Sequence, residues 1–175
     1  MKRIILIGYM GAGKTTIGRA LAKDLGLSFY DLDWYIESRR RKKVPQIFAE
    51  LGEEGFRQIE YNMLHEVAEF EDVVVSCGGG TPCFFDNIDY MNSMAQVVYL
   101  RCQPEVLHGH LLMGKVERPL LKGKNPDELM DFIREQLAAR EKYYCKAQYQ
   151  LDVTLMNNYE KIKITVDKLK ELLNL

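Results

Sequence analysis

A glycine-rich segment near the start of the chain constrains the fold more than any other part of the sequence. Residues 8–15, GYMGAGKT, fit the pattern G-x-x-x-x-G-K-[ST] in full. An aliphatic run precedes this pattern and a helix-forming segment follows it. That order is typical of a P-loop, in which backbone N–H groups and a helix N-terminus face phosphate oxygens. A strand–helix turn without a ligand is the weaker alternative, so we predict a nucleoside triphosphate site.

The residue types in this loop are those that a phosphate-binding loop requires. Gly11 and Gly13 allow backbone torsions and close approaches that a side chain blocks. Lys14 can reach the β- and γ-phosphates, and the Thr15 hydroxyl can bind Mg²⁺. GTPases, motors and transporters share the loop, so the pattern alone does not specify the chemistry.

Short aliphatic runs alternate with helical patterns along the chain, which predicts an α/β fold with a parallel sheet covered on both faces. The predicted strands are 3–8, 27–33, 72–79, 95–101 and 147–155. The predicted helices are 14–25, 34–40, 45–70 with a break at Gly52 and Gly55, 104–112, 127–147 and 159–173.

Two segments depart from this alternation. The stretch 34–70 is entirely helical and longer than one crossover needs, so we expect it to carry a site of its own. The stretch 114–128 is charged, contains glycines and prolines and lacks periodicity, which favours a mobile loop.

Composition narrows the functional classes. The 175 residues fit one domain, and 47% hydrophobic residues can form a sizeable core. A net charge of −1 argues against a general nucleic-acid or membrane-surface binder. No apolar run approaches the roughly 20 residues of a membrane span, and we expect a cytoplasmic protein. The scattered cysteines, which fit reduced thiols better than a zinc site, are Cys77, Cys83, Cys102 and Cys145.

Two aspartates close the second predicted strand. Asp31 and Asp33 alternate along it, so we expect them to share one face at the edge of the nucleotide crevice. One could hold Mg²⁺ through water, and the other could accept a proton from an attacking hydroxyl. The alternatives are a solvated strand end or an N-cap of the helix 34–40.

The helical insert and the third strand carry further candidates. Arg57 and Glu60 are neighbours on one helix face, which predicts either an exposed ion pair worth under about 1 kcal/mol or an arginine that Glu60 holds towards an anionic substrate. Three consecutive glycines, 78–80, follow the third strand. They fit either a plain turn or a backbone that approaches a ligand.

Two arginines complete the candidate set. Arg118 lies in the predicted mobile loop, where it could contact a transferring phosphate when a lid closes. Arg140 lies late in a long helix. The alternatives are a solvated loop charge for Arg118 and a favourable helix-dipole interaction for Arg140.

In their order along the chain, these pieces resemble the shikimate kinase family. They are GYMGAGKTT, DLD, FAELGEEGFRQIE, CGGG, ERPLL and REKYY, spread over roughly residues 3–155. The resemblance implies transfer of phosphate from ATP, with Mg²⁺, to the 3-hydroxyl of shikimate in aromatic amino-acid biosynthesis. It also implies a three-layer α/β/α domain over 1–175 with a five-stranded parallel sheet, a substrate-binding insert at about 33–61 and a lid at about 112–126.

The resemblance also implies residue roles. Asp33 would contact the reacting hydroxyl, Lys14 and Arg118 would contact the phosphates, and Thr15 and Asp31 would lie at the metal. The implied ATP phosphate cradle consists of Gly11, Ala12, Gly13, Lys14, Thr15 and Thr16. The implied carboxylate site consists of Arg57 and Arg140 with the backbone of Gly79 and Gly80. The expected partner is a small molecule, bound by a monomer that binds neither nucleic acid nor a membrane.

The chain departs from the family pattern on the adenine side. His108 and His110 stand where family members often have an arginine that stacks on adenine, and the segment after 154 lacks the proline often found there. Two alternatives stay open: another small-metabolite kinase, such as a gluconate kinase, and a P-loop binding module without catalysis.

Overall fold

The structure is a computed structural model and describes residues 1–114, 121–154 and 156–175. Five parallel strands form one sheet in the order β2-β3-β1-β4-β5. They are β1 Arg3–Ile7, β2 Ser28–Asp31, β3 Val73–Ser76, β4 Gln96–Arg101 and β5 Tyr149–Asp152. The predicted five-stranded parallel sheet is therefore confirmed.

Helices connect the strands and cover the sheet. They are α1 Lys14–Leu25, α2 Leu32–Arg40, α3 Val44–Ala68, α4 Asn87–Met94, α5 Pro104–Met113, α6 Pro126–Tyr144 and α7 Tyr159–Leu173, with a 3₁₀ turn at Thr81–Cys83. None of the helices in the described ranges is at once long enough and apolar enough to cross a membrane.

The sheet forms where the aliphatic runs are because its central strands are buried. In β1, Ile4–Ile7 are almost completely buried, and so are the three valines 73–75 of β3. A strand covered on both faces has no solvent side, so its residues are apolar without alternation. Each such side chain contributes about 1.5–3 kcal/mol through burial.

The strand order determines where a ligand can bind. β1 lies between β3 and β4, with Ile5 paired to Val75 on one side and to Val97 on the other. Parallel pairing brings the carboxyl ends of all five strands to one edge. The loop after β1 and the turn after β3 therefore lie side by side.

The second strand is shorter than predicted, and this corrects the expected placement of two aspartates. β2 ends at Asp31, whose side chain caps α2, and α2 begins at Leu32. Asp33 consequently lies in the first helical turn, and the two aspartates do not share a strand face. A side chain that accepts helix N–H bonds favours helix over continued strand.

Other boundaries also differ from the predictions. β3 ends at Ser76 and β5 spans only four residues, because pairing stops before the flanking turns. The eight-residue helix α4 was not predicted. α3 has the predicted break at Gly52, with φ 68° and ψ −176°, whereas Gly55 stays helical. Of the predicted mobile loop, residues 115–120 lie outside the described residues.

Candidate active site

The P-loop follows β1 and depends on three glycines with positive φ. Gly8 has φ 145°, Gly11 85° and Gly13 88°. At Gly8, a Cβ atom would lie 2.7 Å from the carbonyl oxygen of Leu100 in β4. A larger residue there would strain the backbone and separate the loop from the sheet.

Lys14 begins α1 and lies under the loop. Its Nζ donates hydrogen bonds to the carbonyl oxygens of Gly8, at 2.8 Å, and Tyr9, at 2.9 Å. The side chain is buried. These bonds hold the ammonium group inside the loop, where the positive end of α1 adds to its field.

Asp31 links the P-loop to the helical insert. Its Oδ2 accepts a hydrogen bond from the Thr15 hydroxyl at 2.7 Å. Its Oδ1 accepts the backbone N–H groups of Asp33, at 3.1 Å, and Trp34, at 3.3 Å. The guanidinium of Arg19 in α1 lies over the Trp34 ring at 4.7 Å. Asp31 therefore caps α2 through one carboxylate oxygen and contacts the P-loop threonine through the other.

The pKa of Asp33 lies close to neutral pH. Burial, followed by the charges of Asp31 and Glu60, raises the pKa of Asp33 to about 7. Lys14 and Arg57 act in the opposite direction. A carboxylate with a pKa near the working pH is an effective general base.

Arg57 is presented by α3, one turn after the break at Gly52. Its Nη1 donates to Glu60 Oε1 at 2.8 Å, and its guanidinium lies over the Phe84 ring at 4.2 Å. Arg57 is 8% exposed and Glu60 1% exposed. The alternative of an exposed ion pair is thus wrong. The buried Nε of Arg57 has no hydrogen-bond partner within the described residues.

The glycine turn after β3 brings the candidate side chains together. A Cβ atom on Gly78 would lie 3.3 Å from Oδ1 of Asp33, and one on Gly79 would lie 3.1 Å from Nη1 of Arg140. One on Gly80 would overlap the guanidinium of Arg57. The three charged groups therefore converge on three consecutive residues, which is why none of these positions carries a side chain.

This turn also borders the P-loop. The Cβ position of Gly79 lies 3.3 Å from the backbone nitrogen of Met10 and 3.6 Å from the carbonyl oxygen of Gly8. The interpretation as a plain turn does not account for this arrangement. The P-loop and the guanidinium groups of Arg57 and Arg140 therefore contact the same glycine turn.

Two tyrosines that the sequence analysis did not single out contact the glycine turn and Arg140. Tyr144, the last residue of α6, donates to the Gly79 carbonyl at 2.6 Å. Tyr9 donates to Gln136 of α6 at 2.8 Å, and Arg140 lies over its ring at 5.6 Å. Arg140 and Tyr144 are four residues apart, so they lie on one helix face. This spacing is the sequence signal that could have identified Tyr144.

A comparison with known proteins decides the family. The shikimate kinase family model matches residues 10–172. The chain belongs to the shikimate kinase family. It is therefore a kinase, and the predicted family and enzyme class are confirmed.

Relatives from this family match almost the whole chain. The shikimate kinase of Phocaeicola vulgatus is 54% identical over 174 residues, covering 99% of each chain. The crystal structure of the Bacteroides thetaiotaomicron shikimate kinase has a TM-score of 0.97 at 52% identity, with 99% of each chain covered. The Acinetobacter baumannii shikimate kinase, solved in complex with shikimate, has a TM-score of 0.87 at 33% identity, covering 99% of this chain and 94% of its own.

Two histidines of α5 connect this helix to the P-loop and to the start of α6. His110 bonds through Nδ1 to the Gly11 carbonyl, and its Nε2 accepts the backbone N–H of Met156 at 3.1 Å. His108 bonds through Nε2 to the Pro126 carbonyl at 2.8 Å. Sequence reasoning placed these residues on the adenine side but did not predict their partners.

One predicted site residue lies in a segment that the structure does not describe. Arg118 and the rest of residues 115–120 in the predicted lid lie outside the described residues. The described part of the site thus comprises the P-loop, the aspartates and the two arginines around the glycine turn.

Proposed function

We propose that this chain transfers the γ-phosphoryl group of ATP to the 3-hydroxyl of shikimate, which gives shikimate 3-phosphate and ADP. The observation that carries the proposal is the glycine turn 78–80, where Asp33, Arg57 and Arg140 converge beside the P-loop. The solved complex of the Acinetobacter baumannii relative with shikimate supports the choice of acceptor.

Arg57 and Arg140 bind the substrate carboxylate in this proposal, with the backbone of Gly79 and Gly80. A guanidinium presents N–H donors in a planar fork that matches the two oxygens of a carboxylate. In the part of the chain that the structure describes, the Nε donor of Arg57 is not engaged by another protein group. Two arginines from different helices define the direction of the carboxylate, and therefore of the ring attached to it.

Asp33 takes the proton of the reacting hydroxyl. The O–H bond breaks as the new O–P bond forms, and the bond between Pγ and the bridging oxygen breaks to release ADP. A pKa of about 7 allows Asp33 to be ionised before the step and to hold the proton after it.

The nucleotide phosphates bind to the P-loop. Residues 11–16 supply backbone N–H groups, and Lys14 supplies the cation for the β- and γ-phosphates. The carbonyl oxygens of Gly8 and Tyr9 are neutral, so phosphate oxygens can replace them as acceptors from Nζ.

Mg²⁺ fits the oxygen pair formed by Thr15 and Asp31. Their side-chain oxygens lie 2.7 Å apart beside the P-loop, and hydroxyl and carboxylate oxygens are ligands that Mg²⁺ prefers. The Thr15 hydroxyl would bind the ion directly and Asp31 through water. When bound, the ion neutralises charge on the phosphates.

Arg118 keeps the role that the sequence predicts, a contact to the transferring phosphate when the lid closes. Closure would exclude water, which competes with shikimate as the phosphoryl acceptor. Arg118→Ala is expected to lower kcat by more than tenfold, since a single positioned charge contributes that much at such a step.

A coupled ADP assay with three acceptors tests the proposal. We expect shikimate to stimulate ADP production far more than quinate or gluconate, and Lys14→Ala to abolish the stimulation. A preference for gluconate would identify a different small-metabolite kinase. ADP production that no hydroxy acid stimulates would indicate a binding module instead.

We also propose that the protein works as a monomer in the cytoplasm. The described site is assembled from one chain, with residues of α1, α2, α3 and α6 around it. Size-exclusion chromatography with light scattering tests this, and a stable dimer at assay concentrations would contradict it.

A further inference from the structure

The P-loop is held from outside by a histidine whose two ring nitrogens have opposite roles. The Gly11 carbonyl can only accept a hydrogen bond, so Nδ1 of His110 must carry a proton. The Met156 amide can only donate, so Nε2 must be the acceptor, at 3.1 Å. One neutral tautomer satisfies both bonds, and it joins α5, the P-loop and the segment before α7.

The carbonyl that His110 binds belongs to the peptide plane between Gly11 and Ala12. The N–H of that plane, on Ala12, bonds to the Tyr9 carbonyl at 3.2 Å. Gly11, which precedes the plane, has a φ of 85° and lacks the side chain that would limit rotation. With bonds on both edges, the plane has one orientation.

Apolar contacts reinforce this arrangement. A Cβ atom on Gly11 would lie 3.3 Å from Cγ of Leu111, the residue after His110. One on Gly13 would lie 3.3 Å from Cγ of Met156, the residue whose amide His110 binds. Leu111 and Met156 therefore cover Gly11 and Gly13 next to the two bonds of His110.

We propose that His110 is a positioning residue that preorganises the P-loop for the nucleotide phosphates. A loop already fixed in its binding conformation loses less conformational freedom when the ligand binds. The inference rests on the proposed function only in taking a nucleotide as the ligand. It assigns His110 to the phosphates, not to stacking on adenine.

Variants of His110 separate these roles. We expect His110→Ala and His110→Phe to weaken ADP binding by roughly tenfold, the effect of losing one or two hydrogen bonds. His110→Gln, which keeps a donor and an acceptor, should recover part of this loss. Shikimate binding should stay unchanged in all three, measured by isothermal titration calorimetry.

Glu105→Ala is the matched control, because Glu105 lies on the same helix and its carboxylate bonds to Arg134 instead of the P-loop. It should bind ADP as the unmodified protein does. Full ADP affinity in His110→Phe would overturn the inference and favour ring stacking. An equal loss in Glu105→Ala would also overturn it, because the effect would then belong to α5 in general.

A measurement on the unmodified protein does not depend on whether a variant folds. In the unmodified protein, ¹⁵N NMR of the neutral His110 ring should show the proton on Nδ1; a proton on Nε2 would overturn the inference. Unmodified protein that binds ADP but does not phosphorylate shikimate would contradict the proposed function and leave this inference intact.

Discussion

Arg57 and Glu60 form a buried ion pair, with 2.8 Å between Nη1 and Oε1. The second oxygen of Glu60 accepts a hydrogen bond from Thr81 at 2.7 Å, in the turn after β3. A buried carboxylate is tolerated when its oxygens are bonded in this way. Glu60 therefore positions the guanidinium and ties α3 to the glycine turn.

Glu60→Ala should lower both stability and affinity for the acceptor. Removing one partner of a buried pair costs about 3–5 kcal/mol of unfolding free energy, because the other charge stays buried. Arg57 would also lose its orientation, so the KM for shikimate should rise while the KM for ATP changes little. Urea denaturation and steady-state kinetics measure the two effects.

Glu53 provides the control for this prediction. It lies 3.4 Å from Nη2 of Arg57, but its side chain is 60% exposed. Such a pair contributes under about 1 kcal/mol. A Glu53→Ala variant as damaged as Glu60→Ala would contradict the assignment of Glu60 as the positioning partner.

Asp33→Asn should reduce activity and increase stability at alkaline pH. The pKa of Asp33 in the folded protein, about 7, exceeds its ordinary value of 3.8. The folded state therefore binds the proton more tightly, and stability falls as pH rises from about 4 to about 7. Asparagine does not ionise, so the variant escapes a cost of up to about 4 kcal/mol at about 1.4 kcal/mol per pKa unit.

Thermal unfolding at two pH values tests the sign of this effect. The Tm of Asp33→Asn should exceed that of the unmodified protein at pH about 8, and the gap should shrink at pH about 5. In kinetics, kcat of the unmodified protein should rise with pH through about 7, and the variant should lose most of its turnover. An unchanged kcat in Asp33→Asn would remove Asp33 from the chemical step.

Gly80→Ala should impair shikimate binding through one methyl group. The backbone of Gly80, with φ −88° and ψ −16°, is open to alanine, so any effect is steric. The new methyl would overlap the guanidinium of Arg57 and displace it. We expect the KM for shikimate to rise by roughly tenfold or more, as loss of a charged hydrogen bond would cause.

Gly109→Ala is the counterpart on α5. Among the described residues a Cβ atom there meets nothing within 4 Å, and alanine favours a helix by roughly 0.5–1 kcal/mol. This variant should keep its kinetics and gain slightly in Tm. If Gly80→Ala behaved in the same way, Arg57 would not be held where the carboxylate binds.

Tyr144→Phe should affect the acceptor and not the nucleotide. The change removes the hydroxyl that holds the Gly79 carbonyl, at a cost of about 1 kcal/mol. Because Gly79 borders the carboxylate site, the KM for shikimate should rise a few-fold. Tyr99→Phe removes a comparable bond to Glu141, of 2.8 Å, and should lower stability without this rise in KM. If the two variants had the same KM for shikimate, Tyr144 would have a structural role only.

Much of this fold follows from local chemistry in the sequence. The P-loop pattern and the aliphatic runs locate β1, β3 and β4, because a strand covered on both faces must be apolar. Strand ends are less predictable. Asp31 could continue β2 or cap α2, and only the contact of its carboxylate with Thr15 and two backbone amides decides between them.

The unpredicted features arise from contacts between distant segments. α4 is only eight residues long, and its buried apolar residues Ile88 and Met91 are too few to reveal a helical period in the sequence. His110 lies 99 residues from Gly11 and 46 from Met156. Neither partner can be read from the residues around a histidine.

The capping contact at Trp34 has a practical consequence. Trp34 is the single tryptophan of the chain, and its amide and the Thr15 hydroxyl share the carboxylate of Asp31. Its indole also lies against Arg19 of α1, the helix that the P-loop begins. A nucleotide that engages Thr15 would alter the carboxylate that the Trp34 amide shares, so we expect intrinsic fluorescence to follow occupancy of the site without any attached dye.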